Sequence, residues 1–356
     1  MGNLVTTDKT LVTESDYRNV NLDSSSSLKD FSMDRRKYFR KYVQNEIVTE
    51  KYNAAVFAGN IVELLLWEPH LFDDKYYMSA AVNQPTGLML LFVESLYKHA
   101  KEATDKEGTV NRTFLEMSTD AYEDSGYKLK YEAVVKKFSE SDAVIYFEEI
   151  CNIRSRNLTV VNAKDVTNAE KVVEGLQNCH FTAKIVNQQS NNRYEVLDQL
   201  KIKGYRVDGH TFKSMIDRVI IDHDTMEINI YDLKCTWSVE GFYREYYLHR
   251  RSYIQAYLYW KACQHLVSIT PELAGYKINN PQFIVCDSIN YFSPLIYTLD
   301  ESDMYDAYNG FEYKGRDYPG VKKIIKDLDW ALVNDMWNVS KSNFLAEGVI
   351  NIKNEA

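Results

Sequence analysis

No two of the five cysteines (Cys151, Cys179, Cys235, Cys263 and Cys286) stand in CxxC spacing. That excludes a zinc ribbon or a clustered iron–sulfur site. Scattered single cysteines instead fit a reducing cytoplasm. The first residues lack a basic segment followed by an apolar one, so no secretory leader is expected. Long apolar runs are missing too. The longest, residues 61–67 and 88–93, are far below a membrane span, so no membrane partner is expected. Positive charge is in short supply. The 42 Lys and Arg against 51 Asp and Glu give a net charge of −9, which speaks against a general nucleic-acid coat protein. It leaves room for a local basic groove, or for a site where a metal supplies the positive charge. No internal repeat or long low-complexity segment is present.

What the 356-residue chain does have is 45% hydrophobic and 13% aromatic residues, enough for a sizeable globular core. Residues 1–28 are polar and end in Ser24–Ser25–Ser26–Ser27, which reads as a disordered tail. Residues 29–180 read as a helical region. Its expected helices are 32–48, 52–67, 87–99 capped by Thr86, 113–124 stopped by Gly126, 131–138, 143–151 and 169–177 capped by Thr167. Glu63 lies inside the apolar 52–67 stretch. It is either a solvated helix-face glutamate or a carboxylate turned inward to a metal.

Residues 181–300 change pattern. Strands are expected at 181–186, 193–200, 201–207 and 211–221, with Asp208-Gly209 as a tight turn. A hairpin follows over 215–234, then a helix over 244–266 and strands at 282–286 and 291–298. Residues 301–356 read as a C-terminal helical extension with helices at 321–328 and 330–337. The expected fold class is α/β (α+β), a central mixed β-sheet flanked by helices, packed as one continuous body.

The 215–234 hairpin carries the chemistry. If it is symmetric about Asp224-Thr225, Asp217 stands opposite Asp232, with Cβ atoms roughly 5 Å apart. Two like charges at that distance are destabilising unless a cation lies between them. Lys234 shares a sheet face with Asp232. The plain alternative is an edge hairpin whose Asp232 and Lys234 merely neutralise each other. On the following helix, Arg251, Gln255 and Tyr259 recur every fourth residue and so share one face.

Together, Ser214-Met-Ile-Asp217, Tyr231-Asp-Leu-Lys234-Cys-Thr236 and Tyr253-Ile-Gln255-Ala-Tyr-Leu-Tyr259 resemble the PD-(D/E)xK nuclease superfamily. Within it they are most similar to the phage-type, RecE- and lambda-exonuclease-like recombination exonucleases. The resemblance implies a restriction-endonuclease-like core and a helical N-terminal half that contributes Glu63. It implies that Asp217, Asp232, Glu63 and the Leu233 carbonyl hold Mg²⁺ (or Mn²⁺). Lys234 would orient the attacking water or stabilise the phosphate, and Gln255 and Tyr259 would position the scissile phosphate. The implied activity is exonucleolytic hydrolysis of linear double-stranded DNA, 5′ to 3′, for recombination. The implied partners are DNA ends, a single-strand annealing protein and further copies of the chain in a ring, in a bacterial or phage-infected host cytoplasm. An endonuclease, a single-strand-specific nuclease or an inert DNA-end-binding protein are the competing readings. Cys235 stands where threonine is usual and Glu63 where the nearest relatives have histidine.

Two further sets of residues are candidates. If Asp208-Gly209 closes a regular hairpin, Glu195 faces Asp222, on the order of 16 Å from Asp217, and is an outer residue. The basic residues Lys201, Lys203, Arg206, Lys213, Arg218, Arg244, Arg250 and Arg251 are candidates for a DNA path; the plain alternative, favoured for any one of them, is a solvated charged face.

Overall fold

The computed structural model describes residues 14–46, 54–106, 108–156 and 158–349. The chain forms two compact units. One comprises Met1–Glu63 and Val172–Ala356, the other Leu64–Lys171. The expected domain limits shift accordingly. The helical region does not run as one block to residue 180, and the C-terminal residues share the core of the sheet-bearing unit.

The larger unit is built on a mixed six-stranded sheet. Its strands are β1 (Tyr194–Val207), β2 (His210–Asp222), β3 (Glu227–Thr236), β4 (Lys277–Ile278), β5 (Gln282–Asp287) and β6 (Leu295–Thr298). The order is β1-β2-β3-β5-β6, with β4 paired to β3. The β1–β2, β2–β3 and β5–β6 pairs are antiparallel, whereas β3–β5 and β3–β4 are parallel. Antiparallel neighbours need only turns. The parallel β3–β5 pair needs a crossover, and helix α4 (Ser252–Ile269) lies in it. Residues 252–259 are all buried, so α4 packs as a core helix rather than a surface one.

Helices α1 (Glu14–Asn19), α2 (Ser25–Met33), α3 (Ala54–Trp67), α5 (Glu301–Asn309) and α6 (Val321–Asn334) complete the labelled elements. The disordered tail expected over residues 1–28 is corrected for its described part. The serines that look like a linker form a capping box, in which the Ser24 side chain accepts from the Ser27 amide and Ser27 reciprocates. Tyr17, Leu28 and Phe31 are buried, and Lys213 Nζ donates to the carbonyls of Tyr17, Arg18 and Val20, tying this segment to β2. Residues 1–13 lie outside the described ones.

Other expectations move for local reasons. The 181–186 strand is in fact a helical turn, Ala183–Val186. Short apolar runs do not distinguish the two by periodicity. The 193–200 and 201–207 strands are one, β1. The 291–298 strand is only β6. The two C-terminal helices are one, α6, ended by Asp335 in the left-handed region (φ 52°). The 244–266 helix is two pieces. A π-helical segment, Tyr243–His249, is separated from α4 by Arg251 at φ 53°.

The smaller unit packs helices Gly87–Ala103, Phe114–Ser125, Tyr131–Ser139 and Ala143–Ile153 around Phe92, Leu96, Ala121, Val134, Phe138 and Ile150. Thr113 and Glu116 form a capping box at the start of Phe114–Ser125, and Gly126 ends it in the left-handed region. The expected 169–177 helix is longer, Ala163–Asn178. Asn162, not Thr167, accepts the Asp165 amide at its start. Among the described residues no helix is long and apolar enough to cross a membrane.

Candidate active site

The turn between β2 and β3 sets the register. Asp222 Oδ1 accepts the amides of Asp224 and Thr225, so the turn closes tightly. Pairing then runs from Asp222–Glu227 to Arg218–Tyr231. One step further along this register, Asp217 stands opposite Asp232. The β2–β3 ladder ends before that pair, and the Leu233 amide donates to Asp217 Oδ2 at 2.8 Å. Asp217 is 8% exposed and Asp232 only 1%.

Lys234 Nζ forms a close ion pair with Asp232 Oδ2 and lies 3.4 Å from the Leu233 carbonyl oxygen. From α4, Gln255 Nε2 donates to Asp232 Oδ1 at 2.7 Å and to the Tyr259 hydroxyl at 2.7 Å. The i, i+4 spacing on α4 makes this possible. Glu63, half-buried on α3, accepts from Gln199 Nε2. Asp217, Lys234, Gln255, Tyr259, Glu63 and Lys29 line a cavity of about 940 Å³ within the sheet-bearing unit.

The electrostatics follow from burial and crowding. Burial, then Glu63 and Asp232, push Asp217 well above the usual carboxylate range, against Lys234 and the Leu233 amide. Burial works against the charge of Lys234, but Asp232, Asp217 and Glu63 together raise its pKa. Tyr259 is held protonated, by burial first and then by the two aspartates. The site therefore sets one firmly charged ammonium beside two buried aspartates and the half-buried Glu63.

Two site residues escaped the sequence reading. Lys29 on α2 donates to Gln255 Oε1 at 3.2 Å. Burial and the Lys234 charge lower its pKa to about 8, against Asp232 and Asp30. No motif marks it, and its segment reads as the boundary of a tail. Gln199 sits where the β1–β2 ladder breaks, between Asp198–Arg218 and Leu200–Ile216, with φ 50°. That places it opposite Asp217. Gly204, at φ 85°, was the available signal. It inserts a bulge between Lys203 and Tyr205 that slips the register by one residue.

The same slip corrects Glu195, which faces Ile221 rather than Asp222. It is buried, with His223 Nε2 at 3.7 Å, away from the Asp217 cluster. Arg251 does not share the Gln255 face. It precedes α4 and donates to the Ser32 carbonyl. Arg218 is buried and bound to Asp198 and the Gln188 carbonyl, so it lines no DNA path. Arg206 bonds the Gly209 carbonyl, and Arg244 pairs with its neighbour Glu245. Lys213 and Arg250 do line the cavity.

The donor set of Glu63, Asp217, Asp232 and the Leu233 carbonyl is all oxygen, the chemistry a hard divalent cation requires. Burying Asp217 and Asp232 side by side is costly without a cation beside them. Among the described residues, however, no three His, Cys, Asp or Glu side chains are drawn together closely enough to hold a metal ion. Lys234 instead neutralises Asp232.

No family description matches the chain. No curated protein matches it either. Among solved structures it is similar to a crystal structure from Eubacterium rectale provisionally described as an exonuclease. The identity is 12%, covering 95% of this chain and 88% of that chain, with a TM-score of 0.47. So distant a likeness carries no functional argument, which rests on the site itself.

Proposed function

We propose that the protein is a metal-dependent deoxyribonuclease that digests linear double-stranded DNA from its ends. The observation that carries this reading is the grouping of Asp217, Asp232 and Lys234, with Gln255 and Tyr259, at one side of a large cavity. The cavity is also cationic. Arg18, Lys29, Lys41, Lys213 and Arg250 line it beside Lys234 in a chain of net charge −9. Concentrating positive charge there suits a phosphate backbone.

Mg²⁺ or Mn²⁺ held by Asp217, Asp232, Glu63 and the Leu233 carbonyl would supply charge against the phosphate and a more acidic water. The chain's own groups do the rest. Lys234 presents an ammonium, kept charged by the carboxylates, to the negative charge that grows on the phosphoryl oxygens. Gln255 uses one amide nitrogen to fix Asp232 and Tyr259, and its oxygen is held by Lys29. The Tyr259 hydroxyl, kept protonated, remains a donor to a phosphate oxygen. The 5′-to-3′ polarity, the ring and the single-strand annealing partner follow from the sequence resemblance alone.

The absence of a preassembled three-carboxylate chelate among the described residues favours a second reading, an inert DNA-end-binding protein. One assay separates the two. Purified protein with Mg²⁺ or Mn²⁺ should release nucleotides from linear duplex and spare closed circles. Asp232→Ala and Lys234→Ala should abolish release while leaving the circular-dichroism spectrum unchanged. If linear duplex is bound but left intact with either metal, the nuclease reading fails. Nicking of closed circles would make the protein an endonuclease.

A further inference from the structure

Cys235 and Cys286 occupy paired positions on the adjacent parallel strands β3 and β5. Their Sγ atoms are 3.3 Å apart. Neighbouring strands hold paired Cα atoms roughly 4.8 Å apart. A disulfide spans roughly 4.4–6.8 Å between Cα atoms, so the two thiols can be joined without moving either strand far. Their environments differ. Cys235 is partly exposed and lines the cavity beside Lys234. Gly59 of α3 faces it at 3.7 Å, counted from the position a Cβ would take, and so has no side chain to cover the thiol. Cys286 is 2% exposed. Its bond to Cys235, and then burial, hold it protonated well above the usual thiol range.

We propose that Cys235 is a thiol-modification site for low-molecular-weight disulfides, with Cys286 as its resolving partner, and that the bridge they form switches off the active site. The functional half of this inference rests on the nuclease reading above. Cys235 sulfur attacks one sulfur of a small disulfide RSSR, breaking its S–S bond. A mixed disulfide Cys235–S–SR forms and RSH departs with the cysteine proton. In the mixed disulfide Cys235 no longer has a thiol proton to share with Cys286. Cys286 gives up its proton and its sulfur attacks Cys235 sulfur, expelling the second RS group, which takes up a proton and leaves as RSH. Two protein thiols are oxidised and one small disulfide is reduced to two thiols.

The link to Lys234 is direct. The Cys286 thiol donates to the Lys234 carbonyl at 3.7 Å, and the Tyr246 hydroxyl donates to the Cys235 carbonyl at 2.7 Å. Bridging removes the first of these bonds. It also fixes the β-carbons at the roughly 3.8 Å that a disulfide holds. In the proposed switch these two changes re-aim Lys234 by a shift of β3 that is small for the strand but large for the reacting groups. A misplacement of about 1 Å at reacting groups can cost about 10²-fold in rate.

The test uses the full chain treated with oxidised glutathione, read by intact mass, peptide mapping and Mg²⁺-dependent cleavage of linear duplex. The expected product has lost two hydrogens and yields a Cys235–Cys286 cross-linked peptide. Its cleavage rate is down about 10²-fold, and dithiothreitol restores both properties. Cys286→Ser should stall with one glutathionyl group on Cys235, and Cys235→Ser should form neither adduct at Cys286 nor bridge. Glutathione on Cys151 or Cys179 with Cys235 untouched overturns the site. A bridge that forms without changing cleavage overturns the switch. If the reduced protein cuts no DNA, the nuclease reading fails, while mass and mapping still decide the bridge.

Discussion

Replacing Asp217 with asparagine should stabilise the metal-free protein while destroying the proposed cleavage. Asp217 is buried, and Glu63 and Asp232 crowd it with like charge. Asparagine is nearly isosteric, and its carbonyl oxygen can still accept the Leu233 amide. The substitution therefore removes a charge conflict without opening a cavity. Relieving an active-site conflict of this kind is worth about 0.5–2 kcal/mol. At about 2–4 °C per kcal/mol for a body of this size, the melting temperature in EDTA should rise by roughly 1–8 °C. With Mg²⁺ the order should reverse. A cation at a hundred times its dissociation constant stabilises the parent by about 2.7 kcal/mol, and the variant should lose most of that gain. Cleavage should fall at least about 10²–10³-fold, the usual cost of losing one charge-stabilising group. Scanning calorimetry with EDTA and with Mg²⁺ checks this, beside a linear-duplex digestion. A variant that melts several degrees lower in EDTA and keeps the full Mg²⁺ response would refute the reasoning.

Three further outcomes are expected. His210 bonds Asp23 through Nε2 and Asp329 through Nδ1, and the Asp23 bond raises its pKa against burial, with Asp329 adding to the rise. Its stabilisation is therefore complete below the unfolded value of about 6.5 and is lost as pH rises through the higher folded pKa. The stability deficit of His210→Gln, read by urea unfolding, should shrink from about pH 6 to about pH 9; a constant deficit would contradict this. Lys29, with its pKa near 8, should lose its charge across the range around pH 8. Lys29→Met should reduce the slope of log affinity against log salt by about one, and should erase the alkaline fall in DNA binding; an unchanged slope would remove Lys29 from the phosphate path. Gly320 has no room for a side chain, since a Cβ would lie 2.2 Å from the Gly310 nitrogen and 2.3 Å from the Tyr308 oxygen. Gly320→Ala should cost about 3 kcal/mol or more, as overpacking against backbone does, read by denaturant midpoint.

The mixed sheet and the Asp217–Asp232 opposition were legible because the β2–β3 turn is short, polar and closed on itself by Asp222. Hairpin arithmetic works where no residue is inserted. It failed for Glu195 because the Gly204 bulge adds one residue, and a one-residue slip turns every later side chain over. The same slip hid Gln199. Arg251 was misplaced because a left-handed residue interrupts what reads as one helix, and nothing in its side chain announces that. Lys29 was out of reach for another reason. Its contact with Gln255 spans 226 residues, and four serines before it give a polar signal that a capped helix and a loose tail share.

The sheet-bearing unit is discontinuous, and this has a consequence for the order of events on the ribosome. Glu63 and Lys29 are synthesised first, and residues 64–171 follow as a unit of their own. At about 5–20 residues per second, Gln255 leaves the ribosome about 10–40 s after Glu63. Throughout that interval the nascent chain holds the first pieces of the proposed site with nothing to complete them. Any cleaving capacity thus arises only after α4 has been made, so a truncated translation product ending before α4 should be harmless to nucleic acid.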